Sequence, residues 1–429
     1  LAEPRAGDLA ILVYTSGTTG PPKGAMLSHR NLIVQCEHGT KLLPTYPGDE
    51  RLSFLPLCHI AERLAGSYFS VFTHTVTNFA ESPETVPENI REVQPSTFVA
   101  VPRIWEKFYS AVTLAMADAT RLERWAYRTA LGIGHRVADR RLERRPVPLG
   151  LRLAHGVANR LVLSNIRKMI GIDRCRWLVT GAAPISPDLI RWYLALGATM
   201  LEVYGQTENT ALATWTPPDG IRPGTVGRPV PYGELRISPA GEILLRGEHI
   251  FMGYHNQPEK TAEALDAEGW LHTGDVGEID AQGYVRITDR MKDIIITAGG
   301  KNITPSEIEN ELKFSPYISD AVVIGDRRKY LTCLVMIDFD NVAKFAQDHD
   351  VPFTNFASLT RAKAVLDLIA EEIEKVNRKV ARVETIKRFR LIDRQLDPED
   401  EELTPTMKLK RKLVNQKYRD VIESMYTES

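Results

Sequence analysis

The chain has 429 residues, 54 Lys plus Arg against 55 Asp plus Glu, and a formal net charge of −1. That length exceeds one compact core and predicts two or three domains, while the balanced charge gives no basic field for nucleic acid. The four cysteines (Cys36, Cys58, Cys175, Cys333) show no metal-ligand spacing, no run of roughly 18 apolar residues could span a bilayer, and no signal peptide precedes the first strand, so a reducing, cytoplasmic setting is expected.

Over 1–105, short apolar strands at 9–14, 51–56 and 97–101 alternate with helical stretches, the rhythm of a layered βαβ sheet. From 114 to 170 the pattern is helical and arginine-rich, with 12 basic and 3 acidic residues between Arg121 and Lys168. Alternation resumes with a strand at 176–180, a helix after Pro187 and a strand at 199–204. Between 225 and 287, short strands including 233–237 and 242–246 are separated by Gly and Pro turns, which predicts a small β-rich subdomain. After Arg290 a separate unit is expected: a strand at 294–297, a helix at 305–314, strands at 321–325 and 331–337, then helices and a basic end. Thr304 reads as that helix's N-cap, with Pro305 first and Glu307 closing a capping box.

Residues Tyr14 to Gly24 read YTSGTTGPPKG and open directly out of the first strand. Glycines let backbone N–H groups turn toward an anion, the hydroxyls of Thr15, Ser16, Thr18 and Thr19 add neutral donors, and Lys23 adds one charge. Such a loop suits a triphosphate, although a flexible turn has the same composition. It is not a Walker A loop, because Pro22 precedes the lysine and Gly24 follows it. The helix-starting residues Leu27-Ser28-His29 come only after a proline pair, so a mobile loop is expected rather than one wrapped on a helix N-terminus.

This loop closely resembles the first signature of the adenylate-forming enzymes: acyl-CoA synthetases, luciferases and peptide-synthetase adenylation domains. Further blocks follow in the family's order: Tyr204-Gly205-Gln206-Thr207-Glu208, Trp270-Leu271-His272-Thr273-Gly274-Asp275, Asp289-Arg290-Met291-Lys292-Asp293, and Thr404-Pro405-Thr406-Met407-Lys408-Leu409-Lys410-Arg411. Five blocks spread over almost the whole chain identify it as a member of that superfamily. The segments PLCHIAER at 56–63 and VPRIWEK at 101–107, with the ending LTPTMKLKR, resemble the long-chain acyl-CoA synthetase versions of their blocks. Members normally carry a further N-terminal subdomain ahead of the loop, so this chain is expected to be N-terminally incomplete.

The resemblance implies an α/β, acyl-CoA synthetase-like fold. A layered large domain would span 1–290, with its β-rich subdomain at about 222–289, and a mobile α+β C-terminal domain would span 291–429. It implies a long-chain fatty acid–CoA ligase that forms acyl-AMP from a fatty acid and ATP·Mg²⁺, releases pyrophosphate, and passes the acyl group to CoA. Thr15, Ser16, Gly17, Thr18, Thr19, Gly20 and Lys23 would then hold the β- and γ-phosphates. Glu208 would be the Mg²⁺ carboxylate, with Thr15 as a hydroxyl ligand and Thr207 beside it. Tyr204 would offer a face to adenine, next to Gly205 and Gln206, and the turn Gly181-Ala182-Ala183-Pro184 would be the family's adenine-contacting turn. Asp275 would take the ribose diol, and Arg290 the ribose or α-phosphate.

Lys408 would bridge the incoming carboxylate and the α-phosphate on a domain that rotates about Lys292, with the pantetheine arm of CoA passing Gly299 and Gly300. Gly205 stands where acetate-using relatives carry Trp, which implies an open acyl pocket with His59 beside it. Structural alternatives accompany several of these. Glu208 could be an exposed loop acid, Asp275 a turn aspartate, Tyr204 a half-buried strand aromatic, His59 a satisfied structural histidine, and Lys408 one cation of a basic tail. The stretch 121–168 reads as a solvated face or as a peripheral site on anionic membranes. Rival functions are a fatty acyl-AMP ligase serving a carrier protein, and a non-catalytic nucleotide-binding module.

Overall fold

The computed structural model describes residues 3–15, 22–396, 400–403 and 410–427. These belong to two compact units, Leu1–Phe108 with Met116–Ile287, and Tyr109–Ala115 with Thr288–Ser429. The architecture is mixed α/β, as expected. Among the described residues no helix is long and apolar enough to cross a membrane.

A five-stranded sheet organises the first unit. Thr97–Ala100, Trp177–Thr180 and Met200–Tyr204 run parallel, and Thr214–Trp215 and Arg228–Pro229 extend them antiparallel. Trp177–Thr180 is buried at every residue, as a parallel strand covered on both faces must be. The strand expected at 51–56 is Glu50–Ser53, paired in parallel with Val76–Phe79. Gly233–Ile237, Glu242–Gly247, Leu271–Ile279 and Val285–Arg290 form the β-rich sheet.

The signature loop departs from expectation at its exit. Leu9–Thr15 pairs antiparallel with a strand, Lys23–Ser28, that placed Tyr14 opposite Gly24 and Thr15 opposite Lys23, and Gly253–Tyr254 adds on the far side. Only two buried apolar side chains, Ala25 and Leu27, mark this strand, beside buried Gly24 and Ser28, too few for a period-2 pattern to register. The helix starts afterwards, at His29, with Ser28 and Asn31 forming a capping box.

The arginine-rich stretch folds as Arg121–Leu142, Leu149–Ala158, a π-helical turn Asn159–Leu163 and Ser164–Met169.

In the second unit Ile318–Ile324 runs antiparallel to Leu331–Ile337, which runs parallel to Ile386–Leu391. The strand starts three residues before the expected 321 because polar Ser319 and Asp320 sit at a register shift that hides it from the apolar pattern. Every residue of Leu331–Ile337 is buried. Leu331, Cys333 and Val335 pack with Ile308, Leu312 and Ile369, while Leu334 and Met336 pack with Val414, Ile422 and Met425. Helices on both faces therefore explain the unbroken apolar run. The helix Pro305–Lys313 forms without its expected capping box. Thr304 makes no capping hydrogen bond, and its ψ of 93° differs from the 165° at Ser28, where a box does close.

Candidate active site

The strand Met200–Tyr204 delivers the second block into a tight turn. A Cβ on Gly205 would sit 2.0 Å from the Ala211 carbonyl oxygen and 2.8 Å from the Leu212 nitrogen, so backbone approach demands glycine. Thr210 and Ala211 are both left-handed, with φ of 56° and 76°, a strained pair for residues bearing Cβ. Fully buried Asn209 locks the turn, its Oδ1 accepting from the Gln206 N–H at 3.0 Å.

Asp275 is positioned by a second irregularity. The pairing of Glu242 with Val276 and Leu244 with His272 leaves extra residues in Leu271–Ile279, and Gly274 takes φ 71° at this bulge. The Gly274 N–H donates to Glu242 Oε1 at 2.9 Å. Asp275 is thereby turned inward to 5% exposure. Its Oδ2 accepts from Tyr204 Oη at 2.7 Å and from Gln206 Nε2 at 2.5 Å. The two blocks thus meet through one carboxylate oxygen. Tyr204 is itself only 8% exposed, so what it contributes here is its hydroxyl, with little ring face open to solvent.

Glu208 lies at the end of the same turn. Tyr254 Oη donates to its Oε1 at 2.7 Å, and the Glu208 carbonyl accepts from the Phe251 N–H at 2.8 Å. Burial, and then the Glu208 charge, raise the Tyr254 hydroxyl's pKa, so it stays a donor. Lys23 Nζ stands over the same ring, 4.7 Å from its centroid. The His255 N–H donates to the Gly24 carbonyl at 2.8 Å. One segment, 254–255, therefore fixes Glu208 and the exit of the signature loop together. At the loop's entrance, Thr15 Oγ1 donates to the Lys23 carbonyl at 3.4 Å. Ser16, Gly17, Thr18, Thr19 and Gly20 lie outside the described residues. Thr207 is half-buried and opens the short 3₁₀ turn Thr207–Asn209.

The turn Gly181–Pro184 follows the strand Trp177–Thr180. A Cβ on Gly181 would lie 2.9 Å from Val203 Cγ2, and exposed Ala182 takes φ 66°. Ala183 and exposed Pro184 lead to Ser186, which caps Pro187–Ala195. His59, Ile60, Val101, Gly181, Val203 and Gly205 border a small cleft. His59 Nδ1 accepts from the Ala61 N–H at 3.2 Å, and burial lowers the ring's pKa, which keeps that acceptor neutral. His59 is therefore both a satisfied structural residue and part of the cleft wall. Gly205 also borders the cleft, but its Cβ direction faces the Ala211 backbone, so a larger residue there displaces the turn before it fills the space.

In the second unit Asp289 is buried and accepts from Ser306 Oγ at 3.0 Å and the Arg290 N–H at 2.7 Å, and burial raises its pKa. Arg290 and Lys292 are exposed, at a turn where the Asp293 N–H donates to the Arg290 carbonyl at 2.9 Å. Gly300 needs its φ of 75° to turn the hairpin between Ile295–Ile296 and Asn302–Ile303, whereas a Cβ on Gly299 would come no closer than 3.9 Å to a described non-neighbouring atom, Thr297 Oγ1. Lys408 lies outside the described residues, but both flanks are anchored. Fully buried Glu402 is met by Lys417 Nζ at 2.5 Å and by Arg394. Arg411 binds Glu309 with two bonds of 2.7 and 2.8 Å and donates to the Val323 carbonyl at 2.8 Å.

Among the described residues no three His, Cys, Asp or Glu side chains are grouped to hold a metal. A single hard carboxylate such as Glu208 fits an ion that draws its other ligands from phosphate and water, as Mg²⁺ does.

Residues 1–255 match the model of the AMP-binding enzyme, and residues 292–429 that of the AMP-binding enzyme C-terminal domain. The chain belongs to the AMP-binding enzyme family. It is 36% identical to the long-chain-fatty-acid–CoA ligase FadD15 of Mycobacterium tuberculosis, over 99% of this chain and 70% of that protein. It is 25% identical to ATP-bound MatB from Rhodopseudomonas palustris, with a TM-score of 0.65 over 97% of this chain and 69% of the other. The adenylation domain of a Mycobacterium chelonae carboxylate reductase shares the fold, at 23% identity and a TM-score of 0.73 over 99% and 61%. In this AMP-binding enzyme, sequence reasoning misses Tyr254, Asn209 and Arg411 as positioning groups. Tyr254 stands 46 residues from Glu208, and Arg411 stands 102 from Glu309, so no local pattern links them.

Proposed function

We propose that this chain is a long-chain fatty acid–CoA ligase. A carboxylate oxygen of the fatty acid attacks the α-phosphorus of ATP, pyrophosphate leaves, and the thiol of CoA then displaces AMP from the acyl carbon. The observation that carries this reading is the convergence of Tyr204 and Gln206 on Asp275, with Glu208 oriented by Tyr254 under Lys23. That arrangement supplies an acceptor for a sugar diol, a hard ligand for a cation and a positive charge for phosphate, on two side-chain clusters joined by the 204–208 turn.

In this reading Thr15–Gly20 and Lys23 hold the β- and γ-phosphates, and the turn 181–184 lines the adenine side. Glu208, with Thr15, would hold Mg²⁺, which when bound neutralises phosphate charge. Lys408 bridges carboxylate and α-phosphate, where its attraction grows as charge redistributes. Lys292 is the hinge, Gly299 and Gly300 border the path of pantetheine, and His59 and Gly205 stand at the acyl end. Four free cysteines suit a cytoplasmic setting. The helices between 121 and 168 are the part of the chain that would meet a bilayer carrying the lipid-soluble substrate.

The test is pyrophosphate release from ATP·Mg²⁺ with palmitate, with and without CoA. Release stimulated by CoA supports the ligase. Release indifferent to CoA, with acyl-AMP accumulating, replaces it with an acyl-AMP ligase, and nucleotide binding without turnover replaces it with a binding module.

A further inference from the structure

The helical run 149–169 is apolar on two faces, one turned into the fold and one turned out. Ala158, Leu163 and Ile166 anchor it in the fold, at 7%, 0% and 7% exposure. Four further apolar side chains point the other way. Leu149, Leu153, Val157 and Leu161 recur every fourth residue and are 70%, 64%, 59% and 65% exposed. A surface helix ordinarily turns such a stripe toward the core, and folded proteins scatter exposed apolar residues singly rather than in register. On the neighbouring helix Arg121–Leu142, Leu122 and Trp125 are likewise 71% and 62% exposed.

The charge within the run is of one sign, and the flanking acids Glu143 and Asp173 pair with Arg145 and Arg167. From 144 to 172 the chain carries six Lys and Arg and no Asp or Glu. Arg152, Arg160 and Lys168 are exposed along the stripe, and Gly150 and Gly156 keep the same side low enough for close approach. Two copies packed through this face would bring like charges together. An apolar stripe edged by Arg152, Arg160 and Lys168 instead fits a surface with an apolar interior and anionic phosphates above it.

We propose that 149–169 is a peripheral membrane-binding face for anionic phospholipid bilayers. Leu149, Leu153, Val157 and Leu161 enter the acyl boundary, and Arg152, Arg160 and Lys168 engage lipid phosphates, with Leu122 and Trp125 as a second point of entry. This deepens the bilayer contact given above for 121–168, and vesicle adsorption is read separately from ligase turnover, so either can fail without the other.

The experiment is co-sedimentation of the 429-residue chain with vesicles of equal parts phosphatidylglycerol and phosphatidylcholine, and with vesicles of phosphatidylcholine alone. Binding is expected to the anionic vesicles and to weaken with salt. L153E/V157E, at exposed positions that leave the fold intact by circular dichroism, should bind more than tenfold more weakly. R152Q and R160Q should each weaken binding about fivefold, and R327Q, an exposed arginine of the second unit, should change nothing. Equal binding by L153E/V157E and the parent overturns the proposal, as does equal binding to neutral and anionic vesicles. Absence of vesicle binding by a folded parent also overturns it, and a dimer that L153E/V157E makes monomeric would then assign the stripe to a second copy of the chain.

Discussion

Two pairs of carboxylates, one pair taken from each unit, are satisfied in opposite ways. In the first unit the side-chain bonds to Asp275 and Glu208 come from phenols and an amide, those of Tyr204, Gln206 and Tyr254. In the second, Glu309 is met by the Arg411 guanidinium, and Glu402 by Arg394 and Lys417. Neutral donors orient a carboxylate without cancelling its charge, which leaves it attractive to a cation or a diol. A cation cancels that charge and converts the acid into a structural tie. The distinction follows role rather than unit. Arg51 and Glu62, at 8% and 2% exposure, pair inside the first unit, with Ser53 Oγ adding 2.7 Å to the same oxygen. A Cβ on Gly66 would lie 1.9 Å from Glu62 Oε1, so the pair packs directly against the π-helical turn Arg63–Tyr68.

The largest effect that sharpens this contrast is expected at Lys408. Lys408→Ala should reduce acyl-AMP formation by more than about 10³-fold, a loss on the scale of removing a preorganised charge from a transition state. Thioester formation from supplied acyl-AMP should survive, and equal loss of both steps would remove the assignment. Next, Arg411→Met should cost roughly 3–5 kcal/mol in urea unfolding, because Glu309 is left buried and charged. Pairing it with Glu309→Met should restore most of that stability. If the double variant is no better than the single, the pair is not the tie described above.

Among the described residues His249 has neither kind of partner. It is 1% exposed, both ring nitrogens lack a hydrogen bond, and burial pushes its pKa down to about 4. The unfolded chain therefore takes up the proton first as pH falls. The stability associated with the neutral ring is complete above about pH 6.5 and is lost toward pH 4, a change of about 3 kcal/mol. His249→Leu should flatten that limb of the urea midpoint against pH, and an unchanged slope would assign it to other groups. The smallest effect belongs to a neutral donor. Tyr254→Phe should raise the KM for ATP about tenfold with stability nearly intact, as befits one hydrogen bond to a charged acceptor. Large destabilisation instead would place Tyr254 with the structural ties.

How much was legible depended on whether the relevant partners lay close together in the chain. Strands Gly233–Ile237 and Leu331–Ile337 emerge at the residues their patterns predict, because period and burial agree within each segment. Lys23–Ser28 escaped because its pairing with Leu9–Thr15, rather than its own pattern, makes it a strand. Gly205 reads in sequence as a bare wall of an acyl pocket, yet the carbonyl that requires a glycine there belongs to Ala211, brought back by two left-handed residues.

By itself the sequence determined the family and the α/β class, since short blocks encode backbone turns locally. Tertiary structure alone decided which acids keep their charge available. That choice depends on donors 46, 71 or 102 residues away, at Glu208, Asp275 and Glu309, and only the folded chain brings such groups to hydrogen-bond distance.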